Sequence, residues 1–303
     1  MVVRASCTSL EVNAPAKLNL HLEILARRSD GFHEIETLMV PVSIYDTLRF
    51  SPRDDNRIEL SCRWAWGLAA RHGAALGDLP TGEHNIVYRA VDRLRRAAGI
   101  EAGVTIEIVK RIPSQAGLGG ASSDAAAALL AANELWQLNW SRQRLADLAS
   151  QLGSDIPFFF GARAAICRGR GEQIQSLPRC TPLHVVVVRP REGLSTPAVY
   201  KACHVAEIPA SVSPIATAVQ TGTAEQVARQ LMNRLQAPAE QLSPAVAELR
   251  NVFAGTDCLG HQMSGSGSSY FGICRNALHA RRIAAQLEAA RVGLVAWGVT
   301  GRI

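Results

Sequence analysis

From residue 18 to residue 24 apolar side chains alternate with polar ones (Leu18, Leu20, Leu22, Ile24), the two-residue period of a half-buried strand. Arg27-Arg28-Ser29-Asp30-Gly31 is a polar turn, and the pattern over 35–50 predicts further strand. A helix is expected over 86–98 and a strand through Val104, Ile106 and Ile108. Residues 123–136 are rich in helix formers, a second helix covers 141–152, and Gly153 stops it. Beyond Pro178 the pattern predicts a short buried strand over 185–188 and helices near 223–235, 244–253 and 278–290. Strands over 269–274 and 294–299 complete this half. Residues 1–10 read as a loose leader. Residues 61–82 hold Trp64 and Trp66 but no clear period, and read as an inserted helix–loop excursion. No internal repeat is present, which excludes a solenoid. The character changes near 170–182, so domains of 1–175 and 176–303 are expected.

The length of 303 residues suits two domains sharing a cleft, and 48% apolar with 19% charged residues suits a packed core. The net charge of +6 changes the picture little, because no run of five or six Lys or Arg occurs. A basic cleft for phosphorylated small molecules accounts for it, with no nucleic-acid partner. The seven cysteines form no CxxC pair or zinc-like spacing, which points to reduced thiols in the cytoplasm. No apolar stretch reaches the roughly 18 residues of a membrane span, and 1–10 lacks the apolar run of a signal peptide.

Three segments carry chemistry. Pro113-Ser114-Gln115-Ala116-Gly117-Leu118-Gly119-Gly120-Ala121-Ser122-Ser123 lies between a strand and a strong helix. Glycines there open the backbone N–H groups, and the positive end of the helix dipole, to a phosphate. The hydroxyls of Ser122 and Ser123 suit a phosphate oxygen or a magnesium ion. No lysine follows the glycines, which excludes a Walker A loop, and Ser122 stands where a dinucleotide fingerprint needs its third glycine. The same residues also suit a plain connection capped by Ser123 or Asp124. Lys17, at the start of the first strand, and Asp155, in Gly153-Ser154-Asp155-Ile156-Pro157, are a cation and a carboxylate of the kind a kinase acting on an alcohol needs. Ile156 precedes proline, so an extended backbone is expected there. Read alone, Lys17 is a surface lysine at a strand edge and Asp155 a turn or cap residue. Met263-Ser264-Gly265-Ser266-Gly267-Ser268-Ser269 permits close approach to a ligand or an ordinary hairpin turn.

Taken in order, these blocks resemble the GHMP kinase superfamily, over about residues 14–273. Within it, 14–20 followed by Arg27 to Glu34 is similar to the branch that phosphorylates a cytidine diphosphate-linked sugar alcohol in isoprenoid synthesis without mevalonate. The resemblance implies an α+β fold, with a ribosomal-protein-S5-like N-terminal domain packed on a ferredoxin-like C-terminal domain. It implies ATP as phosphoryl donor with Mg2+, and Lys17 and Asp155 as the catalytic pair. Asn19, Phe32, His33, Thr196 and Tyr200 fall at acceptor-binding positions, with Phe32 and Tyr200 stacking on cytosine and His33 on its edge. Asn85 and residues 113–123 fall at ATP-binding positions. Phe32 replaces the commoner tyrosine, and Ala121 replaces a third glycine. Rival readings are a GHMP kinase for homoserine or mevalonate, and a non-catalytic RNA-binding S5-like protein. Monomer and homodimer both remain open.

Overall fold

The computed structural model describes residues 1, 3–5, 9–76, 79–161 and 163–301, the side chains of 74 and 75 excepted. The chain opens with β1 (Val3–Ala5), β2 (Leu10–Arg27), β3 (His33–Arg53) and β4 (Ile58–Trp64). Next come α1 (Trp66–His72), α2 (Ile86–Ala98), β5 (Gly103–Lys110), α3 (Gly120–Leu135) and α4 (Arg142–Ser150). After a 3₁₀ turn (Pro157–Phe160) follow β6 (Ala165–Gly169), β7 (Gln173–Ser176), β8 (His184–Arg189) and α5 (Thr196–Ala202). The rest runs α6 (Ser213–Thr221), α7 (Ala224–Ala228), β9 (Met232–Asn233), α8 (Gln236–Leu242) and α9 (Pro244–Ala254). It closes with β10 (Gly260–Met263), β11 (Tyr270–Cys274), α10 (Ala277–Ala289) and β12 (Leu294–Val299).

Two sheets result. The larger has eight strands along the path β1-β2-β3-β5-β4, with β6 and β9 joining β3 and β2 and β7 joining β6. The smaller is β10-β11-β8-β12, antiparallel throughout. Burial explains the layering. The apolar faces of α2, α3 and α4 (Val91, Leu94, Leu129, Leu145) cover β2, β3 and β5. A second core joins Leu18 and Leu20 to Val185, Val187 and Phe271, so one face of β2 is roofed by the smaller sheet. A third packs α8 to α10 on β8 and β11. The polar face of β2 is buried too: Lys17, Asn19, His21 and Glu23 are all below 5% exposure. The expected period holds, but the half-buried reading does not, because the second half of the chain covers both faces. Glu23 is answered there by a bidentate ion pair from Arg234 at 2.7 Å. Register shifts between Pro15 and Ala16 and between Asn19 and His21 bracket Lys17, and bulges of this kind re-aim side chains at sites.

Four local expectations are corrected. The leader contains β1, paired antiparallel to β2. Residues 61–64 are not part of an excursion but complete β4, which runs parallel to β5. The helix expected over 223–235 ends at Ala228, and Met232–Asn233 pairs in parallel with His21 and Leu22. Ile156 is helical rather than extended, with φ −64° and ψ −44°. Burial of Ile156 and of the following Phe158 to Phe160 offsets the local bias before Pro157. Cys62, Cys167, Cys180, Cys203, Cys258 and Cys274 are free thiols, and Cys7 lies outside the described residues. Among the described residues no helix is long and apolar enough to cross a membrane.

Candidate active site

A cavity of about 740 Å³ is lined from both halves of the chain. One end is built on glycine. β5 ends at Lys110 and α3 starts at Gly120, and Gly119 caps the helix in a left-handed conformation with φ +67°. The helix therefore has no side-chain cap, and the capping role open to Ser123 or Asp124 is not used. A methyl group on Gly119 would lie 2.9 Å from the Lys17 side chain, and one on Gly117 (φ +71°) only 2.1 Å from the Ser264 carbonyl oxygen. The loop is thus pressed between β2 and the third glycine segment. Hydrogen bonds fasten it: the Lys17 N–H donates to Leu118 O at 2.9 Å, the Ser269 N–H to Ala116 O at 3.2 Å, and the Ser264 hydroxyl to Gly117 O at 3.1 Å.

Beneath the loop sits a buried charge cluster. Lys110 Nζ donates to Asp124 at 2.5 Å and also to Asp46, while the other Asp46 oxygen accepts the Arg111 N–H and, at 2.9 Å, the Ile112 N–H. The loop is therefore tied at its entry from β5 and at its exit into α3. Burial pushes the Asp124 carboxyl up from its ordinary range, Lys110 pulls it back, and Asp46 adds to the rise.

Lys17 is fully enclosed. Its ammonium donates to Asn19 Oδ1 at 2.5 Å and lies 3.9 Å from Asp155 Oδ2, an ion pair between the first strand and the turn after α4. Burial pulls the Lys17 pKa down, and the Asp155 charge opposes that. Asn19 in turn donates to Thr37 Oγ1 at 2.8 Å, and Thr37 donates to His21 O. This relay fixes the Asn19 amide with its oxygen toward the lysine.

The other end of the cavity is aromatic. Arg28 bonds Asp30 and Glu34, and the Asp30 carboxylate accepts the Phe32 N–H at 3.1 Å, so the turn presents Phe32 and His33 side by side. The His33 and Tyr200 rings lie 5.2 Å apart, and Phe32 stands 55% exposed. Burial and the nearby Arg27 charge pull the His33 pKa down, which favours the uncharged imidazole. Thr196 shares a 2.7 Å hydroxyl contact with Ser266, joining α5 to the third glycine segment.

Of the residues expected from sequence, Lys17, Asn19, Phe32, His33, Asp155, Thr196, Tyr200, Gln115, Gly117, Gly119 and Ser122 line this one cavity. Pro113, Ala116, Leu118, Gly120 and Ser123 are buried behind it, and Ala121 is exposed on the first turn of α3. Asn85 is not among the lining residues. It caps α2 through the Val87 N–H. Gly265 and Ser266 line the cavity from the third glycine segment, as the sequence allowed, whereas the lining residues Arg170, Thr37 and Lys201 were not singled out. A fourth, Asn233, holds the third segment from behind by donating to Met263 O and Gly265 O.

Residues 85–162 match the N-terminal domain of the GHMP kinases and 215–292 match their C-terminal domain. A 4-diphosphocytidyl-2-C-methyl-D-erythritol kinase of Pelotomaculum thermopropionicum is 40% identical over 90% of this chain and 92% of its own. The chain belongs to this kinase family. A crystal structure of 4-(cytidine 5'-diphospho)-2C-methyl-D-erythritol kinase superposes with TM-score 0.77 at 36% identity, covering 97% of this chain and all of that one. Homoserine kinase from Cytophaga hutchinsonii, at 19% identity and TM-score 0.72, shares the fold. The two sheets and their helices are thus the α+β GHMP architecture, and the protein is an ATP-dependent small-molecule kinase.

Proposed function

We propose that this chain transfers the γ-phosphoryl group of ATP to the 2-hydroxyl of 4-diphosphocytidyl-2-C-methyl-D-erythritol, a step of isoprenoid precursor synthesis without mevalonate. One observation carries the reading. Lys17 with Asp155, two glycine-bearing loops, and the rings of Phe32, His33 and Tyr200 all face a single cavity. An alcohol kinase needs the first two features, and only an acceptor carrying a flat base needs the third. Membership of the kinase family supports the same acceptor.

In this reading residues 1–175 hold the ATP loop and the catalytic pair, and 176–303 close the cleft. The ATP phosphates lie over the backbone N–H groups of 113–123 and the positive end of α3. Asp155 takes the proton of the attacking hydroxyl, and Lys17 offsets the charge developing on the transferred group. Asn19 keeps Lys17 aimed at that point. Cytosine lies against Phe32 and Tyr200, with the His33 edge beside it, and Thr196 touches the acceptor side.

The reading includes Mg2+ arriving with ATP. Among the described residues no group of three or more His, Cys, Asp or Glu side chains could hold a metal alone. The Ser122 hydroxyl lines the cavity, and the Ser123 hydroxyl is buried without a partner, so these two fit an ion held chiefly by phosphate oxygens. Such an ion would offset the negative charge of the ATP phosphates. A cytoplasmic location, supported by the dispersed thiols, belongs to the same proposal.

ADP release with this acceptor, run beside homoserine and mevalonate, tests the assignment. Turnover with the cytidyl acceptor alone is expected. Turnover with homoserine or mevalonate in its place contradicts it.

A further inference from the structure

The mouth of the cavity is lined by Arg27, Arg28, Arg170 and Lys201. They are not equivalent. Arg28 is committed, with Asp30 at 3.0 Å and Glu34 at 2.8 Å. Arg170 approaches Glu172 only to 3.9 Å, and that carboxylate already accepts the Arg170 backbone N–H at 2.7 Å. The Arg27 guanidinium donates to the main-chain carbonyl oxygen of Lys201, which draws the end of β2 to the end of α5. Neither of these two has a carboxylate within ion-pair distance among the described residues. Three under-neutralised cations therefore share one rim.

Arg170 occupies a particular place on that rim. Its guanidinium carbon lies 5.2 Å from the centre of the Phe32 ring, within cation–π range. Its neighbour Gly171 comes so close to Asp155 that a methyl group there would sit 3.3 Å from Asp155 Oδ1. One turn after β6 thus spans from the carboxylate at the phosphoryl-transfer end to the aromatic wall. An acceptor with its base on that wall and its hydroxyl at Asp155 has its diphosphate in between.

We propose that Arg170, with Arg27 and Lys201 beside it, forms a diphosphate subsite, and that Arg170 also backs the exposed face of Phe32. The proposal rests on the cytidyl acceptor reading above. A guanidinium is suited to both tasks, since it forks onto phosphate oxygens while its flat face lies on a ring. The subsite makes charge on the acceptor a determinant of recognition, in addition to the base.

Calorimetric titration with cytidine and with CDP, on protein whose nucleotide site is filled with ADP, separates the two readings. Wild type should bind CDP more tightly than cytidine. Arg170→Met should cut that preference by about ten- to hundredfold, the range of charged hydrogen bonds. Arg170→Lys should recover part of it. Lys201→Met, on a different element, should lower the preference less and serves if the Arg170 variant does not fold. An unchanged CDP-to-cytidine ratio in folded Arg170→Met overturns the subsite while leaving the acceptor reading intact. An equal loss for both ligands also overturns it, since Arg170 would then only support Phe32. Failure of wild type to bind either ligand overturns the acceptor reading, and the subsite with it.

Discussion

At the end of the cavity proposed to hold phosphate the charges of Lys110, Asp46 and Asp124 are buried and answered, whereas at the proposed cytidyl end Arg27, Lys201 and the Phe32 ring stand in the open. Lys110, Asp46 and Asp124 are each less than a tenth exposed and bonded to one another, and Gly117 is locked against Ser264. Phe32 is over half exposed, and Arg170 reaches it from a loosely paired turn. Under the proposed function the contrast follows from the chemistry each end meets. Stabilising a phosphoryl group in flight requires donors fixed beforehand, since any reorganisation adds to the barrier. Holding a base needs only faces of the right shape, and the energy arrives when water leaves them. The first end should therefore be intolerant of change, and the second graded in its response.

The largest effect should come from the carboxylate where the two ends meet. Asp155→Asn preserves shape but cannot accept the hydroxyl proton, and kcat should fall by about 10²- to 10⁴-fold. ATP affinity should hardly move. A variant keeping more than about a third of wild-type kcat would remove Asp155 from the mechanism.

Gly119→Val tests the rigidity of the phosphate end. The new side chain would meet Lys17 and Phe159 at a left-handed backbone position, so nucleotide affinity should drop by at least about tenfold. Calorimetry on folded protein with unchanged ADP affinity would show that the loop does not hold phosphate.

The cytidyl end should respond in steps. Tyr200→Ala should raise the acceptor KM by roughly ten- to hundredfold with the ATP KM unchanged, as stacking energies of about 1–3 kcal/mol imply. Tyr200→Phe should be nearly silent. Phe32→Ala should act in the same direction, and the double variant should be non-additive because both rings meet one base. Unchanged acceptor KM in both single variants would move the base elsewhere.

The smallest effect concerns the buried cluster. The fold raises the Asp124 pKa above its ordinary 3.8, so the folded chain keeps this proton to higher pH than the unfolded chain does. Stability from this group is therefore lost as pH rises from about 4 through the raised value. Asp124→Asn, with no proton to lose, should flatten that part of the stability–pH curve in denaturant titrations. A variant curve parallel to wild type would show that Asp124 ionises in the fold as it does in the unfolded chain.

Much of the frame is legible in residue pattern. The helix over 86–98 is bounded as expected, with Asn85 as its cap and Gly99 as its left-handed stop. The alternation of Leu18 to Ile24 is real, but whether the face of Lys17 and Asn19 meets water depends on chain folded over it much later, and no local period reports that. The same limit hides β9. Residues 223–235 have helical composition, yet Asn233 is drawn into bonds with Met263 and Gly265 that lie beyond any sequence window. At the site, the glycine loop is readable because its chemistry is local. Lys17 and Asp155 became a pair only through resemblance to a family, since tertiary structure alone brings them to 3.9 Å. Arg170 carried no signal beyond standing in a short Arg-Gly-Arg-Gly turn.

Phosphorus-31 NMR of the reaction of ATP with 4-diphosphocytidyl-2-C-methyl-D-erythritol reads the central claim directly. The account predicts ADP together with one new phosphomonoester resonance on the acceptor, its own diphosphate pair retained. Consumption of ATP with inorganic phosphate as the only new product, or cleavage of the acceptor's diphosphate, would contradict it.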